Sequence, residues 1–303
     1  MALPYFEASR MKNLYKFKAT PAILVFPGLF FMVIAIGVPL VLSLYYSTMN
    51  WAGFGKMSFI GFGNYKEILH DTTFWKSLSH ALILAAVTLF IQNPLAFILS
   101  AFLSQIKRGG HFFRTLYFVP AVLSVVVITK MWVHIFNPTY GMLNKLLHAV
   151  GLHQFAIGWL SNPSTALGTV IFIIIWHGFG WAMLFYYTGL MTVPKDLEEA
   201  ARIDGASWLQ LYTKIIIPYI MPVIQSVAII GIIACLKQME VVYLSTEGGP
   251  GDITQFVANY LYIKAFKYSQ YGYGNAISIV FFVIAMGLVL VTRKLTNREA
   301  LYE

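Results

Sequence analysis

Six charged side chains fall between positions 195 and 204: Lys195, Asp196, Glu198, Glu199, Arg202 and Asp204. Only 11 % of the 303 residues are charged, so this island stands out from its surroundings. Groups of this kind can cap a helix, pair with each other or dock against a charged partner. They do not make a reaction centre. No Ser/His/Asp or Cys/His set falls in one plausible site, and no His, Cys, Asp and Glu cluster has metal-ligand spacing. Gly55-Lys56 is followed by Met57 instead of Ser or Thr, so the chain has no phosphate-binding loop of the Walker A type. An enzyme is the weakest reading.

A second set of polar residues interrupts long apolar runs. Lys237, Gln238 and Glu240 form one group, Lys130 and His134 another, and His177 stands alone. Charge inside a membrane span is costly and by default marks function. The simpler account has Lys130 and Lys237 snorkelling to the interface, Lys237 pairing with Glu240, and His177 as a packing residue. For Lys130 that account is preferred. The Gln238 amide both donates and accepts, which suits a polyhydroxylated ligand lining a translocation path.

The elements that must hold these groups are membrane helices. The chain is 58 % hydrophobic with a mean hydropathy of +0.70, beyond the usual apolar share of a soluble domain. Apolar runs of roughly 20 residues predict six spans: Ala22–Thr48, Ser77–Ile106, Leu116–Phe136, Ala166–Met191, Pro218–Leu244 and Gly274–Thr292. The class is all-α integral membrane. Pro27 and Pro39 are expected to kink the first span, which is too long for a removable signal peptide. The single cysteine, Cys235, lies in a span and excludes an intramolecular disulfide.

The net charge of +9 follows from topology. Thirteen Lys and Arg residues lie in the N-terminal tail, in the loops around 107–114 and 195–214, and in the C-terminal tail; the other loops hold six. That asymmetry places both termini and the 194–218 loop on the cytoplasmic side, and it explains the basic surplus by membrane anchoring in lipid, without nucleic acid. Residues 1–20 read as a cytoplasmic tail, 21–292 as the six-span domain and 293–303 as a second tail. Short amphipathic helices are expected near Tyr65–His70 and Met142–Val150 in the outer connections.

Within the island, Pro194 suits the start of a helix whose first turn carries Asp196, Glu198 and Glu199. Glu198 and Arg202 are spaced as an i,i+4 pair. Ala200 and Ala201 leave a small face, and Asp204-Gly205 breaks the helix. A second helix follows, with Trp208, Leu211, Tyr212, Ile215 and Ile216 as its apolar stripe before Pro218. From these residues alone, a docking element and an idle solvated loop are about equally supported.

At this point the sequence resembles a family. Glu199-Ala200-Ala201, Asp204-Gly205-Ala206, Ile215 and Ile217-Pro218 are similar to the "EAA" signature of permease subunits in binding-protein-dependent ABC importers. Phe113-Arg114-Thr115 with Val119-Pro120, Trp132 with Phe136-Asn137 and Gly141, and Thr246-Glu247-Gly248-Gly249-Pro250 resemble further parts of carbohydrate-type permeases of the maltose/glycerol-phosphate group. Leu236, Met239 and Glu240 depart from the aromatic and Asp residues common there. The resemblance implies a type I importer permease fold in a bacterial cytoplasmic membrane. It implies a second homologous permease as heterodimer partner, two ATPase subunits carrying ATP and Mg, and an extracytoplasmic solute-binding protein; no cofactor is implied for this chain.

The resemblance also assigns candidate residues. Glu198, Glu199, Ala200, Ala201, Asp204, Gly205, Ala206 and Pro218 would couple to the ATPase, with Glu199 pairing to a basic group and Gly205 making the turn. His177, Gly178, Trp181, Cys235, Lys237 and Gln238 would line the substrate path. The cargo implied is a sugar or oligosaccharide, with an acidic glycan or glycerol-phosphate-like solute as the alternative. An ion-coupled secondary transporter is the reading from another class. It would need acidic residues at mid-membrane and paired repeats, and the sequence shows neither.

Overall fold

A computed structural model of the chain describes residues 20–106 and 108–296. The expected tails fall mostly outside these residues, as do Arg10, Lys12, Lys16, Lys18, Lys107 and Arg298. Among the described residues, four unbroken helices are long and apolar enough to cross a membrane: Leu24–Ser47, Thr72–Gln105, Ala166–Met191 and Tyr271–Lys294. These are the first, second, fourth and sixth spans. The third and fifth are bent pairs, so six spans result when each pair is counted once.

The bends correct two expected spans. Gly110–Val122 and Val125–Ile135 meet at 94°, because Leu123 and Ser124 take extended backbone. A straight third span over 116–136 therefore does not form. Trp208–Tyr219 and Met221–Leu236 meet at 71°. Here Pro218 and Pro222 stand one turn apart, and Pro222 has no N–H to give the carbonyl one turn back. The fifth span ends at Leu236, and a separate helix, Glu240–Ser245, follows it. The expected span to Leu244 is thus two elements.

Three prolines, two in straight spans and one in the first half of the bent fifth span, are met by wide turns. Wide turns at Val33–Gly37, Thr88–Gln92 and Tyr212–Ile216 each end one residue before the first residue of an X-Pro pair. Val38, Asn93 and Ile217 donate to the carbonyls five residues back, on Val33, Thr88 and Tyr212. Widening the turn moves the carbonyl four residues before the proline away from its ring. Pro39 consequently leaves the first span unbroken.

The fourth span is the centre of the bundle and packs on the second and third. Gly180 permits the close crossing, since a Cβ there would lie 2.5 Å from the Tyr117 carbonyl oxygen. Ser100 donates to the Met183 carbonyl at 2.7 Å and ties the second span to the fourth. The sixth span packs on the first and the fifth. Small residues, a few polar cross-links and buried aliphatics hold the spans, as expected where lipid provides little drive for helix association. The amphipathic connections form helices at Gly63–His70 and Met142–Ala149. A two-stranded antiparallel ribbon pairs Met49 with Phe59 and Asn50 with Ser58.

Asp71 organises the end of the bundle remote from the island. Its side chain caps the second span by accepting from the Thr73 and Phe74 N–H groups at 2.9 and 3.1 Å. It also accepts from the Tyr260 and Tyr273 hydroxyls, joining the second span, the helix Val257–Tyr262 and the sixth span. The Lys264 ammonium lies 5.5 Å and 5.3 Å from the centres of the same two rings.

Candidate functional site

The island folds as a helix, Lys195–Ile203, a left-handed residue and a second helix from Trp208. Pro194 stands just ahead of the first helix. Gly205 has φ +75°; its N–H bonds the Arg202 carbonyl and the Ala206 N–H bonds the Ala201 carbonyl. This is a Schellman closure, which satisfies the last carbonyls and needs a residue without a Cβ penalty at its turn. Ser207 and Gln210 then cap the second helix reciprocally.

The two alanines do different things. Ala201 is buried against Leu211, Tyr212 and Ile216, whereas Ala200 faces outward. Ala206 packs at the edge of the same cluster. Glu199, Asp204, Gly205 and Pro218 are exposed and Glu198 is half-buried. Glu198 and Arg202 do not come within ion-pair distance among the described residues. Ile203 is 85 % exposed, so a large aliphatic sits at the tip of a charged helix. The island is anchored to the bundle: Gln105 donates to the Tyr212 hydroxyl at 3.1 Å, and Leu190 and Ala101 join the buried cluster. A push on the helix therefore reaches the second and fourth spans directly.

The second candidate region is a cavity of about 400 Å³ between the second, fourth and fifth spans. Gly178, Trp181, Cys235 and Gln238, four of the residues expected on a substrate path, line it. Thr88, Gln92 and Asn93 line it too, and sequence reasoning missed them. Their signal was present as an amide pair before Pro94 in an otherwise apolar run. The wide turn at Thr88–Gln92 carries Thr88 and Gln92 into the cavity. Thr88 Oγ1 lies 3.2 Å from Cys235 Sγ, which occupies both groups. Gly178 and Gly231 keep the space open: a Cβ at either would lie 3.3 Å from Gln92 Nε2 or Thr88 Cγ2.

His177 and Lys237 are not brought to the cavity lining. His177 Nε2 lies 3.3 Å from the Leu123 carbonyl, at the break in the third span. Lys237 is the exposed C-cap residue just past the fifth-span helix, where a cation complements the negative helix end, and it makes no ion pair with Glu240. Lys130 donates to the Leu244 carbonyl at 3.0 Å and so closes the end of Glu240–Ser245. No group of three or more His, Cys, Asp and Glu residues is placed to hold a metal among the described residues.

The described residues thus form a bent-helix membrane bundle with a capped helix–glycine–helix element at one end. Residues 92–295 match the family described as "Binding-protein-dependent transport system inner membrane component", and the chain belongs to that family. It is 32 % identical over 280 residues to a probable ABC transporter permease protein, YurN, of Bacillus subtilis, covering 91 % of this chain and 96 % of that protein. It is 32 % identical over 254 residues to the multiple sugar-binding transport system permease protein MsmF of Streptococcus mutans, covering 84 % and 86 %. A bacterial alginate ABC transporter crystallised with an alginate pentasaccharide-bound periplasmic protein contains a chain of the same fold, with TM-score 0.81, 21 % identity, and coverage of 96 % and 98 %. This chain is thus an ABC importer permease, a translocation subunit rather than an ATPase.

Proposed function

We propose that this chain carries a sugar or oligosaccharide across the membrane as one half of a permease heterodimer. The solute is delivered by a solute-binding protein, and two ATPase subunits supply ATP hydrolysis with Mg. Relatives named as sugar permeases, including MsmF and a xylose/arabinose import permease, XacH, of Haloferax volcanii, support the cargo class. The distribution of Lys and Arg supports an orientation with the termini and the island in the cytoplasm.

The observation that carries the reading is the anchored, outward-facing island. Glu199 and Ile203 project from a helix whose other side is buried against the second and fourth spans. Such a helix is a docking element that transmits a displacement, which is what an ATPase-driven rigid-body switch requires. Glu198, Glu199, Ala200 and Asp204 would meet the ATPase; Ala201, Gly205, Ala206 and Pro218 would set the shape of the joint. Gly178, Trp181, Cys235 and Gln238 would lie on the solute path, with His177 and Lys237 beside it.

The test is ATP-driven uptake by the reconstituted complex. Gly205→Trp is expected to abolish uptake while the complex still assembles in the membrane. Full uptake by that variant would sink the coupling role.

A further inference from the structure

We propose that the path through this chain selects an uncharged polyhydroxylated solute, a neutral oligosaccharide, and rejects an acidic one. The inference rests on the reading that the cavity between the second, fourth and fifth spans lies on the solute path.

Its lining contains no charged side chain. Instead it presents three amides, from Gln92, Asn93 and Gln238. Gln92 and Asn93 are each 6 % exposed, and none of the three side chains has a hydrogen-bond partner among the described residues. Amides at a cavity wall without a protein partner are available to a ligand or water there. Each amide offers donors and an acceptor together, the complement of a hydroxyl, which also does both. A carboxylate is acceptor-only: it could take the amide N–H donors but would leave the amide oxygens unanswered and its charge without an opposite charge in the lining.

The basic side chains that the sequence placed near the path lie elsewhere. Lys130 is held on the Leu244 carbonyl, Lys237 sits exposed at a helix end, and His177 faces the Leu123 carbonyl. Trp181 is 50 % exposed at the cavity, with Phe118 edge-on to it and the Phe185 ring tilted at 6.2 Å, so part of its indole surface is left for the apolar C–H face of a sugar ring. Likeness of fold to an alginate importer carries no charge preference with it, because charge selectivity resides in side chains and the two chains share 21 % identity.

The test measures equilibrium binding to the complete complex of both permeases and the ATPases, purified without its solute-binding protein. That omission removes the binding protein's own selectivity. The probes are radiolabelled maltotriose, xylotriose and diacetylchitobiose, set against trigalacturonate and trimannuronate. The expected result is binding of at least one neutral probe about tenfold or more tighter than either uronate, and a loss of about tenfold or more in a Gln92→Leu/Asn93→Leu variant. Uronate binding within about threefold of the best neutral probe overturns the inference. So does neutral binding by the double variant that equals the unsubstituted complex. Gly178→Trp fills the cavity and is expected to abolish binding of every probe. Full binding by Gly178→Trp overturns the path reading itself, apart from any question of charge. Binding of no probe, by a complex that hydrolyses ATP, overturns both.

Discussion

The island and the cavity are built from opposite materials. The island concentrates six charges within ten residues at one end of the bundle, while the cavity has amides, a hydroxyl, a thiol and aromatics but no charge. The island is local in sequence, closed by its own Schellman turn and capping box. The cavity is non-local and draws on spans separated by more than a hundred residues. Charge is cheap where water reaches it and costly at membrane depth. A transporter of this design can therefore keep its ionic contacts for protein partners and meet its solute with neutral hydrogen bonds.

The sharpest way to break the comparison is to damage each region alone. Gly205→Trp is expected to reduce ATP-driven uptake to background yet leave solute binding intact. Gly178→Trp is expected to do the reverse, abolishing binding while leaving the ATPases attached. If Gly205→Trp also abolished binding, the two regions would not be separable. Parallel uptake, binding and co-purification measurements decide this.

The anchoring of the island gives the next effect in size. Leu211 is 3 % exposed among Ala201, Tyr212 and Ile216. Leu211→Ala is expected to cost about 2–4 kcal/mol locally. The expected readout is faster hydrogen exchange in residues 195–216 and weaker coupling, with solute affinity unchanged. Unchanged exchange would mean that the island is not held by this cluster.

A third region, the Asp71 hub, separates pH effects from both. Burial raises the Asp71 pKa, but the hydroxyls of Tyr260 and Tyr273, the Phe74 N–H and the nearby Lys264 outweigh it and hold the carboxyl below its ordinary 3.8. A folded pKa below the unfolded value contributes stability above pH 3.8 that is lost as pH falls through the folded value. Thermal unfolding of the purified complex is expected to show an acid loss that Asp71→Asn flattens. The same acid loss in Asp71→Asn would assign it to other carboxylates.

The smallest effect belongs to Glu247 and Lys267, which pair at 3.3 Å with both side chains more than half exposed. Glu247→Ala is expected to change stability by less than about 0.5 kcal/mol, and neither uptake nor binding. A larger change would place this loop in a contact with a partner.

The helix count and the island were legible early because their signals are local. Long apolar runs mark spans whatever surrounds them, and Ala166–Met191 was placed to the residue. Pro194, Asp204-Gly205 and Pro218 punctuate the island by their own stereochemistry. The bends were less legible. Pro39, Pro94 and Pro218 all follow wide turns, while the third span breaks at Leu123-Ser124, so a proline in the sequence does not announce which outcome follows. His177 and Lys237 drew attention as polar groups in spans, although one faces a freed carbonyl and the other lies at a helix end.

By itself the amino-acid sequence determined that this is a six-span membrane protein with a helix–glycine–helix island, because hydropathy, proline and positive-φ glycine act over one or two turns. Only the tertiary structure decided which polar groups share a cavity. Gln92 and Asn93, Gly178 and Gln238 meet because a wide turn rotates the second span's face and close crossings set the fourth span beside it. Lateral packing of helices depends on contacts distant in sequence, and no periodicity along one strand of text encodes the angle at which another helix will cross it.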